Sequence, residues 1–161
     1  MKGSIAFFIV LFAGSAFAAA LLTTTDIEQI TGLKEVHTIP RGAPPTAQAD
    51  LNFVDQRGEM LLTVSVGASA LYDKAKQPRK VDVGGQTMEI PSYHAEVRGL
   101  GDEAFDAPPG NMQRALYVRK GTRSLALTRF IDPKTKQPAL TMDQLKALAS
   151  IVLERLSDHS D

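Results

Sequence analysis

The stretch RALYVRKGTRSLALTRFI, Arg114 to Ile131, decides the fold. Apolar and polar residues alternate from Arg114 to Arg119 and again from Ser124 to Ile131, the period of strands with one face buried. Between them Lys120-Gly121-Thr122 offers a glycine where the chain must reverse. This predicts an antiparallel hairpin, and an antiparallel hairpin asks for further strands beside it.

Those strands are found on the N-terminal side. Val81 to Ile90 is broken by Gly84-Gly85, a dipeptide suited to a two-residue hairpin turn. Leu51 to Val54 leads through Gln56-Arg57-Gly58 into Met60 to Val66, where Leu62, Val64 and Val66 share one face. Tyr93 to Val97 is a further strand, and Pro40 to Ala49, with Pro44-Pro45 inside it, is a loop. Ala68 to Lys76 reads as a short helix carrying Leu71 and Tyr72 and stopped by Pro78.

Helices close both ends. Thr25-Asp26-Ile27-Glu28 has the spelling of a capping box for a short helix ending at Gly32. Thr141 to Gln144 repeats that spelling ahead of Met142, Leu145, Leu148, Ala149, Val152 and Leu156 at helical spacing. Strands outnumber helices and arrive as hairpins, so the expected class is α+β. Its architecture is a mainly antiparallel sheet with a short N-terminal and a longer C-terminal helix packed on it.

The first 18 residues stand apart from this pattern. Lys2, the apolar run Ile5 to Phe12 and Ala16-Phe17-Ala18 have the order of a secretory signal peptide. The run is about half of the ~20 residues a membrane span requires. The expectation is export to a periplasm or the exterior after cleavage near Ala18, with no retained membrane anchor. Residues 19–161 then form a single domain of a size that can bury a core unaided.

The chain contains no cysteine, so disulfides, thiolate metal ligands, a cysteine nucleophile and a lipid-bearing cysteine are all excluded. Without Lys2, 17 basic residues face 18 acidic ones. Such a balance, with no basic run interleaved with aromatics, argues against nucleic acid as a partner.

Gly99-Leu100-Gly101-Asp102-Glu103-Ala104 fits the G-x-G-x-x-A spelling of a dinucleotide loop. A functional loop of that kind opens a helix and is followed about 20 residues on by a ribose-binding acid. Here Pro108-Pro109 interrupt the helix, and Arg119 to Arg123 is basic. A structural reading is preferred: two glycines turn the chain, Asp102 caps a single helical turn over Glu103, Ala104 and Phe105, and Phe105 closes onto the core. Asp102, Glu103 and Asp106 could also supply oxygen ligands to calcium, although their spacing is not that of an EF-hand.

VRGLGDEAF, residues 97–105, followed by ALYVRKGTRSLALT, residues 115–128, resembles a family of exported bacterial domains of unknown function, many of them lipoproteins. The resemblance implies a small opening helix ending in glycine, a G-L-G-D-x-A turn after the middle strands, and a hydrophobic hairpin with a glycine turn. This chain departs from the family in lacking both the lipid-bearing cysteine and the cysteine its members often carry in an early strand.

Other chemistry is thin. His94 and Glu96 fall on one face of a predicted strand and could hold a metal or serve a general base. No serine sits in a G-x-S-x-G elbow or a Ser-x-x-Lys pair. Arg114, Arg119, Lys120, Arg123 and Arg129 gather in the hairpin, where alternation could form a basic patch for an acidic partner or solubilise an exposed ribbon. The function expected is a non-catalytic exported binding or accessory domain, with no cofactor and an unidentified protein or small ligand. Its candidate surface is His94, Asp102, Glu103, Asp106, Arg119 and Arg123. The alternative is a small metal-dependent or hydrolytic enzyme using His94, Asp102 and Glu103.

Overall fold

The computed structural model describes residues 21–39, 49–90, 95–110, 113–132 and 134–158. The signal peptide, most of the loop after Pro40, Tyr93, His94 and His159 lie outside these residues. Helix α1 (Thr24–Thr31) precedes strands β1 (His37–Ile39), β2 (Ala49–Val54) and β3 (Met60–Ala68). Helix α2 (Ala70–Lys76) and the hairpin β4 (Arg79–Val83) and β5 (Gln86–Ile90) follow. The chain then forms β6 (Ala95–Glu96), β7 (Glu103–Gly110), β8 (Gln113–Lys120), β9 (Arg123–Phe130) and helix α3 (Met142–Asp158).

Among the described residues, seven strands form one antiparallel sheet in the order β1-β2-β3-β9-β8-β7-β6, while β4 and β5 pair only with each other. The fold is α+β, as the hairpins imply. The β8–β9 hairpin lies inside the sheet, with β3 on one side and β7 on the other. It is therefore not an exposed ribbon, and its basic residues serve other purposes described below.

Alternation gives the sheet two different faces. On the first, Leu62, Val64 and Val66 of β3 stand beside Leu127 and Leu125 of β9, and those beside Leu116 and Val118 of β8. Helices α1 and α3 pack together over this apolar face. Leu145, Leu148, Ala149 and Val152 are fully buried there, as the helical stripe predicts, together with Leu21, Leu22 and Ile27. The Thr141 capping box forms: Gln144 N–H donates to Thr141 Oγ1, and Thr141 N–H donates to Gln144 Oε1.

The N-terminal cap differs from its expected register. Thr23, not Thr25, is the N-cap, and Asp26 supplies the reciprocal carboxylate. The reason is tertiary. Arg155 of α3 donates to both Asp26 oxygens at 2.7 and 2.9 Å, drawing Asp26 to the helix start. Glu28 is left to accept Val36 N–H at 3.0 Å, and the helix still ends where Gly32 N–H closes on Glu28 O.

Glu103 to Phe105 form no helical turn; they open strand β7. Asp102 N–H donates to Arg119 O at 2.8 Å, and Glu103 pairs with Arg119 in register, so the segment is recruited as the next strand beside β8. Pro108 and Pro109 fall where the pairing of β7 with β8 is irregular, a place in a strand that tolerates proline. No helix among the described residues is long and apolar enough to cross a membrane.

Candidate functional site

The second face of the sheet is built from small and polar residues. Ser65, Ala126, Tyr117 and Phe105 form one cross-strand row on β3, β9, β8 and β7. Thr63, Thr128, Ala115 and Ala107 form the next, and Gly67, Ser124, Arg119 and Glu103 the one on the other side. The β3–β9 half of this surface carries little bulk, whereas the β8–β7 half is aromatic and charged. Helix α2 crosses it at Gly67, where any Cβ would collide with the Leu71 side chain.

Tyr72 of α2 is buried edge-on against Phe105, with ring centroids 5.0 Å apart, and Phe105 stacks on Tyr117 at 4.9 Å. The Lys76 ammonium lies 4.9 Å from the Tyr72 centroid, and the Arg119 guanidinium 5.9 Å from it. Both cations reach the same carboxylate. Glu103 accepts from Arg119 Nη2 at 2.7 Å, Lys76 Nζ at 3.1 Å and the Tyr72 hydroxyl at 3.3 Å.

The ionisation states reinforce the arrangement. The Lys76 hydrogen bond, followed by the Arg119 charge, holds Glu103 below its ordinary range, and Glu103 raises Lys76 in return. Burial raises the Tyr72 phenol above its ordinary value. The group is thus one carboxylate shared by an ammonium and a guanidinium, with a neutral phenol, at neutral pH, a clasp between α2 and the sheet.

An open cleft lies on each side of this clasp. One, of about 500 Å³, runs between Tyr72, Lys76 and the Glu96 to Phe105 segment. Its walls carry Glu96, Asp102 and Glu103 as well as Lys76 and Arg98. Glu96 accepts from Arg98 at 3.3 Å, so its charges are largely answered from within. The other, of about 570 Å³, lies between α2, the start of β4 and the small-residue half of the sheet. Ser65, Ala126, Thr128 and Tyr117 line it from the sheet, Leu71 and Ala75 from α2, and Val81 from the hairpin. Lys74 and Lys80 line it too, and among the described residues no acidic one does.

The structure brings together only part of the surface expected from the sequence. Glu103 and Arg119 meet in the clasp, and Asp102 adjoins them. The Asp102 carboxylate accepts Gly121 N–H at 2.7 Å, latching the β6–β7 turn to the β8–β9 turn. Asp106 lies three residues along β7 from Glu103 and therefore on the opposite face, where it pairs with Arg114. Arg123 is exposed at the start of β9. His94 lies outside the described residues, and His37 is exposed on β1.

This separation dismantles the three-carboxylate calcium arrangement. Among the described residues no three histidine, cysteine, aspartate or glutamate side chains gather to hold a metal ion. Nor does Gly99 to Ala104 receive a pyrophosphate: strand β7 stands where the dinucleotide loop requires a helix.

The basic residues of the hairpin, read as either a partner patch or a solubilising ribbon, go to separate contacts. Arg114 and Arg129 turn to the helix-covered face, where Arg129 Nη1 donates to Leu140 O at 2.7 Å. Lys120 reaches Leu153 O and Ser157 at the end of α3. Sequence reasoning missed the pair of clefts and the clasp residues Tyr72, Lys76 and Tyr117. A signal was present in Ser124, Ala126 and Thr128, the small residues that alternate with the apolar stripe of β9. No protein-family model, curated protein or solved structure matches this chain.

Proposed function

We propose that this protein is an exported, non-catalytic binding domain that seats a small ligand in the 570 Å³ cleft beneath α2 and the β4–β5 hairpin. The observation that carries the reading is the small-residue sheet surface that, among the described residues, is left open between two elements that could have covered it. A volume of this size, with apolar walls and a few converging polar groups, is typical of small-molecule sites, which span roughly 300–1,000 Å³. Ser65 and Thr128 supply hydroxyls at its base, and Tyr117 an aromatic edge. Export rests on the order of charge, apolar run and small residues in the first 18 positions and on the resemblance to exported domains.

Hydrolytic or metal-dependent chemistry on His94, Asp102 and Glu103 has less in its favour. Asp102 is engaged by a backbone amide and Glu103 by three donors, so neither is poised as a base or nucleophile.

A thermal-shift screen against small carboxylates, metals and nucleotides tests the seat when run beside Thr128→Trp, which fills the cleft. The expected result is a ligand-dependent rise that the substitution abolishes while the unliganded melting temperature stays near that of the parent. A rise that survives the substitution places binding elsewhere and overturns the reading. Fractionation of expressing cells, with N-terminal sequencing, is expected to find the protein outside the cytoplasm and starting near residue 19.

A further inference from the structure

On that reading of the cleft, we infer that its ligand is a single-chain amphiphile with one anionic head group. The charge balance of the walls gives the head. Lys74 and Lys80 both line the cleft and are exposed, and among the described residues no acidic one lines it. Asp50 neighbours Ser65 in the sheet register but lies outside the lining; Glu89 is the direct cross-strand partner of Lys80 and offsets part of its charge, also from outside the lining, which leaves Lys74 as the principal cation of the cleft. The second cleft offers the contrast. Its cations are answered by Glu96, Asp102 and Glu103 on its own walls, so it presents no excess positive charge to an anion.

The apolar surface gives the tail. Leu71 and Val81 border the cleft and remain 38 % and 36 % exposed. Val81 pairs with Met88, and Val83 lies two residues further along the same face of the hairpin. Met88 and Val83 are 56 % and 58 % exposed, while Lys80, Asp82, Thr87 and Glu89 alternate onto the opposite face. An apolar track thus leaves the cleft at Val81 and continues along one side of a two-stranded ribbon. Such a ribbon is marginally stable alone and gains from a hydrocarbon laid against it. A ligand with a head near the lysines and a flexible chain along Leu71, Val81 and Met88 satisfies both observations.

The test is titration calorimetry, below the micelle concentration, of dodecanoate, its methyl ester, octanoate and butyrate. The protein is used both as the full chain and as the chain starting at residue 19. Dodecanoate is expected to bind one to one. Removing the charge as the ester, or both cations as Lys74→Gln with Lys80→Gln, should weaken it severalfold, up to roughly tenfold, an effect that shrinks in high salt. Each methylene removed should cost up to about fourfold, and the neutral substitution Val81→Asn should weaken dodecanoate more than octanoate. Thr128→Trp should abolish binding of all of them. Equal affinity for acid and ester, or for dodecanoate and butyrate, with loss in the Thr128→Trp variant, overturns the ligand class and leaves the seat intact. Binding that is unchanged in that variant, or absent throughout, overturns the seat and the class together. Association with anionic or zwitterionic vesicles but with no monomeric amphiphile also refutes the proposal, since it makes the ribbon a membrane contact.

Discussion

Gly101 and Asp106 show how single residues hold the sheet together. Gly101 has a φ of +56°, and a Cβ there would collide with Arg119 O and stand 2.7 Å from Val118 Cγ1. Gly99 has a φ of +82° with open space around it. Gly101→Ala is therefore expected to cost about 2–3 kcal/mol by urea denaturation, and Gly99→Ala only about 1 kcal/mol, from backbone strain alone. Equal losses would contradict the close approach. Asp106 pairs with Arg114 and its charge also acts on the buried Arg129, whose guanidinium burial pushes below its ordinary value. Asp106 Oδ1, Arg114 Nε and Arg129 Nε are buried without hydrogen-bond partners. Asp106→Asn should lower stability by about 2–4 kcal/mol, because two cations then share an apolar face with no countercharge. A loss below about 0.5 kcal/mol would show that the carboxylate does not balance them. Both glycines were legible from the sequence as turn residues. Asp106 was not, because its face depends on β7 being a strand, and residues 103–105 have no local pattern that decides between strand and helical turn.

The helices depend on one another more than on their own sequences. Asp26 of α1 is lowered from 3.8 to about 2, first by its hydrogen bond to Arg155 of α3 and then, against the cost of burial, by Thr23. A carboxylate depressed in the folded state contributes stability above its unfolded pKa, near 4, and loses it as pH falls towards 2. Partial exposure of Arg155 reduces the contribution, leaving about 1–2 kcal/mol. Stability measured from pH 5 to pH 2 should therefore fall more steeply in the parent than in Asp26→Asn, whose profile loses this component. Parallel profiles would remove the pair from the acid response. The helix starts were read as Thr25-x-x-Glu28 and Thr141-x-x-Gln144, yet the first cap forms at Thr23, with Asp26 held by Arg155, 129 positions further along the chain.

Across the molecule, stability is graded outward from the β3-β9-β8 centre. These strands carry the fully buried Leu62, Leu116, Leu125 and Leu127 and are paired on both sides. Among the described residues the β4–β5 hairpin pairs only with itself, and it leaves Val83 and Met88 exposed. Amide exchange should be slowest at residues 62–66, 115–118 and 124–128 and fast along 80–89, with protection of the hairpin rising when the cleft is filled. Uniform protection would mean that the hairpin is as firmly held as the sheet.

The sequence by itself determined the class of the molecule. Period-two alternation around Gly121, the Gly84-Gly85 break and the stripe from Leu145 to Leu156 each depend on neighbours within one or two turns of chain. Local periodicity survives in any tertiary setting that buries one face. What only the tertiary structure decided is which side chains from distant strands share a row. Ser65, Ala126 and Tyr117 become one surface, Glu103 gathers Tyr72, Lys76 and Arg119, and Asp106 leaves for the other face. Strand order and register produce these meetings, and they are chosen by the packing of the apolar face, not by the residues that line the cleft.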